Sequence, residues 1–275
     1  MKLSDYVIDF LASRGVKHNF LVTGGAVVHL VDSTHKHPDM RYICVQHEES
    51  AAVAADGYFR ASGIVGVAMT TSGPGATNLT TSICNAYFDS IPMICVTGQV
   101  ARFRLRPNKT MRQKGFQETD IASVFQSICK YVKLVTDPLT IRYELEKAYF
   151  LATEGRPGPV VLDIPDDVQR IDIEPEKLLS YTPCATPIKP CLEQIETLVQ
   201  FIREAQRPVL VVGAGIRASN SVEAFRRWVA HFNIPVLFTW GGADLFPYSD
   251  ELNMGCIGVC GPRGGGISLL NNPIW

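Results

Sequence analysis

The sequence predicts an α/β fold: a parallel sheet flanked by helices, followed by a partial second α/β unit. Short apolar runs alternate with segments of helical length and period through the first 165 residues, and such alternation builds a parallel sheet covered on both faces. Two of the runs pass directly into glycine turns, Val22-Thr23-Gly24-Gly25-Ala26-Val27 and Thr71-Ser72-Gly73-Pro74-Gly75-Ala76-Thr77-Asn78, where the backbone can turn tightly and approach a ligand closely. A later run, Pro208-Val209-Leu210-Val211-Val212, turns at Gly213-Ala214-Gly215 and starts the pattern again.

In chain order, residues 3–14 carry the period of an amphipathic helix. Strands are expected at Asn19 to Val22, Arg41 to Val45, Ile64 to Thr71, Pro92 to Thr97, Tyr131 to Val135 and Pro159 to Ile164. Helices are expected between them over 25–35, 48–62, 76–88, 119–128 and 140–154. After Asp163-Ile164-Pro165 the periodicity lapses, and Pro183, Pro187 and Pro190 punctuate a linker. The first domain is therefore read as 1–170, the linker as 171–190 and a second domain as 191–275. That second domain shows a helix near 191–205, the strand ending at Val212, a helix near 219–232 and a strand from Ile234 to Thr239. With about 85 residues it reads as cut short, and the chain as a fragment of a longer protein.

With 46% hydrophobic residues, the chain can bury a sizeable core. Its 26 basic and 27 acidic residues give a net charge of -1, which supports neither a nucleic-acid partner nor an anionic membrane surface. One basic cluster stands out: Arg102, Arg104, Arg106, Lys109, Arg112 and Lys114. No run of about 18 apolar residues and no leader pattern occurs, so a cytoplasmic globular protein is expected. Of the eight cysteines, Cys44, Cys84 and Cys95 lie in apolar contexts and read as buried free thiols. Cys256 and Cys260 lack the second ligand pair of a zinc site, and no residue is assigned to a metal.

The chemistry concentrates after the second expected strand, in Gln46-His47-Glu48-Glu49-Ser50-Ala51-Ala52-Val53-Ala54-Ala55-Asp56-Gly57-Tyr58-Phe59-Arg60. At helical spacing Glu48, Ala51, Ala52, Ala55 and Phe59 share one stripe, while Glu49, Val53, Asp56 and Arg60 share a mostly polar one. A carboxyl group on the small, apolar stripe is desolvated, which favours its protonated form and suits a general acid or hydrogen-bond partner. The plainer alternative is that Glu48 and Glu49 only favour the dipole at the head of a helix. Both glycine turns and Glu48 follow strands of one parallel sheet, so all three junctions emerge at its carboxyl edge, where ligands bind in open α/β folds.

These segments, together with Asp89-Ser90-Ile91-Pro92, Thr97-Gly98-Gln99-Val100, Phe116-Gln117-Glu118-Thr119-Asp120 and Arg156-Pro157-Gly158-Pro159-Val160, occur in the order and spacing of a known family. The chain resembles the N-terminal half of thiamine-diphosphate-dependent enzymes of the acetolactate synthase (acetohydroxyacid synthase) type, over roughly residues 3–168 and into the start of their central domain. The resemblance implies the thiamine-diphosphate-binding fold and a Rossmann-like second domain. It implies a lyase or carboligase that decarboxylates a 2-oxo acid and transfers the acyl carbanion to a carbonyl acceptor; a simple 2-oxo acid decarboxylase and a non-catalytic ligand-binding module of the same fold are the alternatives. It further implies that the glutamate matching Glu48 hydrogen-bonds N1′ of the aminopyrimidine and promotes the tautomer that removes the thiazolium C2 proton. Pro74 and Asn78 would line the pyrimidine pocket. Thr23 would bind the cofactor, Gly24 and Gly25 would lie near the reacting carbon, Phe116 and Gln117 would face the substrate, and Arg156 matches a position that contacts FAD in flavin-containing members. Gln117 has the alternative of a loop hydrogen-bonder and Arg156 that of a turn brace.

Two departures qualify the resemblance. The family's Gly-Asp-Gly motif, which holds the diphosphate through Mg²⁺, does not occur in this sequence, so a chain ending at Trp275 is expected not to turn over alone. Active sites in the family form between subunits of a homodimer or tetramer, and the small residues from Ala51 to Ala55 suit a close helix approach across such an interface. The segment from Arg102 to Gly115 is longer and more basic than in the biosynthetic synthases, and an anionic or sugar-nucleotide substrate is one use for its arginines. In the second domain, Gly213-Ala214-Gly215 has Ala218 where a dinucleotide fingerprint has its third glycine, with no acidic residue about 20 positions on, so NAD is not expected.

Overall fold

Apolar residues at helical spacing form α1 (Leu3–Ser13), whose Leu3, Val7, Ile8, Phe10 and Leu11 are all buried. The computed structural model describes residues 1–108, 110–184, 191–258 and 261. It separates into two units, Met1–Ala185 and Thr186–Trp275. Within the first unit α1 is followed by β1 (His18–Leu21), a 3₁₀ turn at Gly25–Val27, α2 (Val28–Lys36), β2 (Arg41–Cys44), α3 (Glu48–Ser62), β3 (Gly66–Thr70), α4 (Pro74–Thr77) and α5 (Thr80–Asp89). There follow β4 (Met93–Gln99), a 3₁₀ turn at Arg102–Arg104, α6 (Ile121–Phe125), β5 (Tyr131–Leu134), α7 (Ile141–Thr153), β6 (Pro159–Pro165) and α8 (Asp166–Gln169).

The six strands form one parallel sheet in the order β2-β1-β3-β4-β6-β5. Successive strand residues alternate between two cores, as the two-residue period of a strand requires. Leu21, Val67, Met69, Ile94, Val96, Val160 and Leu162 pack under α1, α2, α7 and α8. Ala68, Met93, Cys95 and Val161 pack under α3, α5 and α6. Each fully buried aliphatic side chain contributes about 1.5–3 kcal/mol of transfer energy, opposed by the entropy of ordering the chain.

The second core is built from small residues, and this settles the role of the alanine stripe. Ala51, Ala52 and Ala55 are buried against the chain's own sheet and α5. A methyl at Gly66 would lie 2.8 Å from Ala55 Cα, with the Ala55 carbonyl closer still. The expectation that Ala51 to Ala55 serve helix contact across a dimer is thus corrected: the stripe lets α3 approach β3, and the face it leaves outward carries Val53 and Gly57.

Several boundaries differ from the sequence expectations for identifiable reasons. The helix expected over 76–88 is two helices, since Pro74 starts α4 two residues early and the chain re-aims at Asn78 and Leu79 before α5. The helix expected over 119–128 shrinks to Ile121–Phe125, capped by Asp120, whose carboxylate accepts from Ser123 N at 3.1 Å. Strand β4 runs on to Gln99 and β6 to Pro165, because each continues pairing with the other through Gly98↔Ile164 and Gln99↔Pro165. Helix α8 lies where periodicity was expected to lapse. Cys44 is exposed on the edge strand and Cys84 is half-buried, so of the three thiols expected in the core only Cys95 is buried.

In the second unit α9 (Leu192–Glu204), β7 (Leu210–Val212), α10 (Gly215–Ala218), α11 (Val222–Phe232), β8 (Val236–Phe238) and β9 (Asn253–Cys256) form a parallel three-stranded sheet in the order β7-β8-β9. Val212, Phe225, Val229, Val236, Phe238, Leu245 and Phe246 make its core. Strand β9 was not expected, since Asn253-Met254-Gly255-Cys256 has neither alternation nor β-branched residues. Pro187, Pro190, Lys109 and Cys260 lie outside the described residues. No helix among the described residues is long and apolar enough to cross a membrane.

Candidate active site

The chain leaves β1 for β2 on one side and then returns to place β3 on the other side of β1. Such a reversal opens a crevice at the carboxyl ends of the two strands. Both glycine turns emerge there, one after β1 and one after β3, with α3 starting beside them. The turns interlock. Gly24 is extended, and a methyl on it would lie 2.6 Å from Thr71 Oγ1 and 2.7 Å from Thr71 Cγ2. Thr71 in turn accepts a hydrogen bond from Ala26 N at 3.3 Å. A methyl on Gly25 would meet nothing within 4 Å.

Glu48 is the first residue of α3, whose N-cap His47 accepts from Glu49 N through Nδ1 at 3.2 Å. Its Oε2 accepts from Asn78 Nδ2 at 2.8 Å. Its Oε1 takes no hydrogen bond from any described residue and sits 3.4 Å from where a methyl on Gly75 would be. Glu48, Gly75, Asn78, Thr71 and Gly24 therefore meet in one place. Glu48 is half-buried as a residue, because the first residue of the helix stands one turn beyond the packed alanines. The expected apolar setting belongs to Ala51 and Ala52, and Glu48 caps it.

The Phe116-Gln117 segment comes to the same turn. Gly73 has φ 62 and ψ -127, and a methyl there would lie 2.8 Å from Gln117 O and 2.9 Å from Gln117 Cβ. Gln117 itself adopts φ 61, the left-handed region. Phe116 is 81% exposed. Glu118 anchors the preceding loop by accepting from Arg106 N at 2.7 Å, Lys114 N at 2.8 Å and Gly115 N at 3.3 Å. Burial pushes this carboxyl up, but the three N–H donors and Arg106 outweigh it and hold it below its ordinary range. Pro74 and Thr23 are exposed beside the crevice. Arg156 is also exposed but lies elsewhere: it donates to Ser90 Oγ at 2.7 Å and Phe88 O at 3.2 Å, before β4 and β6, at the amino edge of the sheet.

The basic cluster is largely consumed internally. Arg102 pairs with Asp167 at 2.8 Å, Arg106 with Asp120 at 3.3 Å, and Lys114 donates to Phe103 O at 2.7 Å. Arg104 lies over the Phe103 ring at 5.3 Å. Of the arginines considered for an anionic substrate, Arg102 and Arg106 are therefore already paired with carboxylates of this chain.

Sequence reasoning gave no role to a polar group beneath the loop. Asp163, 1% exposed, accepts from Thr97 Oγ1 at 2.6 Å and from Gln99 Nε2 at 2.8 Å. Gln99 Nε2 also donates to Thr119 O at 2.9 Å, while its Oε1 accepts from Val100 N at 2.9 Å. Burial pushes the Asp163 carboxyl up to about 7, against the pull of its two donors. Gln99 and Asp163 share the wall of a cavity of about 240 Å³ with Arg106, Glu118 and Asp120. The signal in the sequence was the acid itself, set inside the apolar run Val160-Val161-Leu162-Asp163-Ile164.

Similarity to known proteins extends over both units. Residues 1–124 match the family model "Thiamine pyrophosphate enzyme, N-terminal TPP binding domain", and residues 195–265 match "Thiamine pyrophosphate enzyme, central domain". The acetolactate synthase large subunit of Corynebacterium glutamicum is 41% identical over 247 residues, covering 88% of this chain and 38% of that protein. Acetolactate synthase 1, chloroplastic, of Zea mays is 38% identical over 94% of this chain and 40% of its own length. The probable acetolactate synthase large subunit of Methanocaldococcus jannaschii is 39% identical over 96% and 44%. The chain thus spans less than half the length of the curated relatives it matches. With both domain models matched in order, at 38–41% identity to these synthases, the chain belongs to the thiamine pyrophosphate enzyme family.

Proposed function

We propose that this chain is the pyrimidine-binding and central portion of a thiamine-diphosphate-dependent enzyme of the acetolactate synthase type, which decarboxylates a 2-oxo acid and transfers the acyl unit to a second carbonyl. The observation that carries the reading is Glu48. One carboxyl oxygen is held by Asn78 while the other is free and faces a glycine cradle. That arrangement fits an aminopyrimidine: a carboxyl oxygen able to share a proton with the ring nitrogen, beside turns packed so closely at Gly24, Gly73 and Gly75 that a methyl on any of them would crowd a neighbour. The chemistry such a cofactor supplies is an electron sink for decarboxylation.

The residues of this chain would bind and orient. Glu48 would share a proton with the ring, fixed in direction by Asn78. Pro74 would pack on the ring, Thr23 would bind the cofactor, Gly24 and Gly25 would border the reacting carbon, and Phe116 and Gln117 would border the substrate. Mg²⁺ and the diphosphate would be held by residues outside this sequence. FAD, where family members carry it, would meet this chain through Arg156. In this reading residues 1–170 form the pyrimidine domain, 171–190 a linker and 191–275 part of the central domain. A homo-oligomer with shared active sites is supported by the exposed Tyr42 and Ile43 on edge strand β2 and Val53 on α3. The cytoplasm is the compartment we propose.

The test uses the full-length protein and its Glu48→Gln variant. Calorimetry with Mg²⁺ reads thiamine diphosphate binding, and NMR reads exchange of the thiazolium C2 proton. Exchange should fall about 100-fold or more in the variant while Asn78 keeps an acceptor. A full-length protein that does not bind the cofactor, or a variant that exchanges at the wild-type rate, overturns the reading.

A further inference from the structure

The buried acid Asp163 has no role in the chemistry above, yet its hydrogen bonds lead to the loop that borders the substrate. Gln99 Oε1 accepts from Val100 N, which fixes the orientation of the amide, because only the oxygen can accept. Both hydrogens on Nε2 are then committed, one to Thr119 O and one to Asp163 Oδ2. Gln99 is 1% exposed, so none of these bonds exchanges readily with water. Thr119 O also accepts from Ile121 N at 2.9 Å, joining the loop to α6. Two residues before Thr119, the Gln117 backbone lies against Gly73, in the turn that leads to Asn78 and Glu48. A continuous set of contacts therefore runs from β6 through β4 to the loop.

We infer that Asp163 is a positioning residue: it locks the Gln99 side chain, and through Gln99 it holds Thr119, and with it the Gln117 backbone that lies against the glycine turn at Gly73. The inference rests on the reading that this loop borders the substrate. Asp163 is suited to the task because a carboxylate can accept two donors at once. Thr97 fills Oδ1 and Gln99 fills Oδ2, leaving the acid one arrangement in which all partners are satisfied.

The test compares Asp163→Ala, Asp163→Asn and Gln99→Met in the full-length protein. Asp163→Ala leaves one Gln99 hydrogen unpaired, so hydrogen exchange of the Glu118 and Ile121 amides should speed about tenfold. Turnover of the 2-oxo acid, as kcat/KM, should fall by a similar factor, with thiamine diphosphate affinity unchanged. Gln99→Met, which cuts the same link from the other end, should reproduce both effects and decides the matter should Asp163→Ala fail to fold. Asp163→Asn keeps an oxygen for Gln99 and offers its amide to Thr97, so it should restore wild-type exchange. Wild-type loop exchange in Gln99→Met, or an Asn variant as impaired as Ala, overturns the inference. Absence of cofactor binding by the wild type would instead overturn the functional reading, and the exchange measurement would still decide the tether.

Discussion

Replacing Gly73 with alanine should damage the site through two separate costs. The first is conformational. Gly73 has φ 62 and ψ -127, a backbone region essentially closed to other residues, and holding alanine there costs about 1–3 kcal/mol. The second is contact: the new methyl would stand 2.8 Å from Gln117 O and 2.9 Å from Gln117 Cβ. Gln117 cannot give way freely. It is already at φ 61, and its neighbours Glu118 and Thr119 are hydrogen-bonded to Gly115 and Gln99. Forcing an extra carbon into such a contact costs about 1–3 kcal/mol more, for a total of roughly 2–6 kcal/mol. Gly25→Ala is the matched control, since that residue lies outside the positive-φ region and its methyl meets nothing within 4 Å; its stability should change by at most about 1 kcal/mol. Urea unfolding of the full-length protein and both variants, with turnover at saturating cofactor, measures the two costs together. Gly73→Ala unfolding at the midpoint of Gly25→Ala, with wild-type turnover, would refute this account of how the loops meet.

Gly24→Ala should cost about 1–3 kcal/mol through contact with Thr71 alone, since Gly24 is extended. The atom of Thr71 nearest that methyl is Cβ, so thermal unfolding of double variants should find rescue by Thr71→Gly and none by Thr71→Ala. The Asp163 carboxyl rises from an ordinary 3.8 to about 7, so between these values the folded chain holds a proton that the unfolded chain has lost. This group's contribution to stability therefore falls as pH rises from about 4 to about 7, by roughly 4 kcal/mol, and is level above. Asp163→Asn should flatten the difference between unfolding midpoints at pH 5 and pH 8, with Asp120, Glu118 and Arg106 unchanged around it; an undiminished difference would exclude Asp163 as its source.

The strand and helix order was legible because each depends on local periodicity, and every strand expected in the first unit formed within two or three residues of its expected ends. The glycine turns were legible too, since Gly73 and Gly24 fill positions that other residues could not. What escaped were features made by pairing between distant segments. Gln99 and Pro165 belong to strands only because β4 and β6 extend each other. Strand β9 exists because Val236 and Phe238 offer it an edge, while its own residues have little preference for one.

By itself the sequence determined the doubly covered parallel sheet, the convergence of three strand-to-helix junctions on one edge, and the family. Period, turn chemistry and motif spacing are properties of neighbouring residues. The tertiary structure alone decided which atoms those junctions bring together. It paired Glu48 with Asn78 and seated Gln117 on Gly73. It turned the alanine stripe inward onto β3, left Glu48 at a half-open rim, and sent Arg156 to the far edge of the sheet. It also tied Asp163 to the loop through Gln99, across a separation of 64 residues. Such contacts depend on strand order and register, which no local pattern encodes.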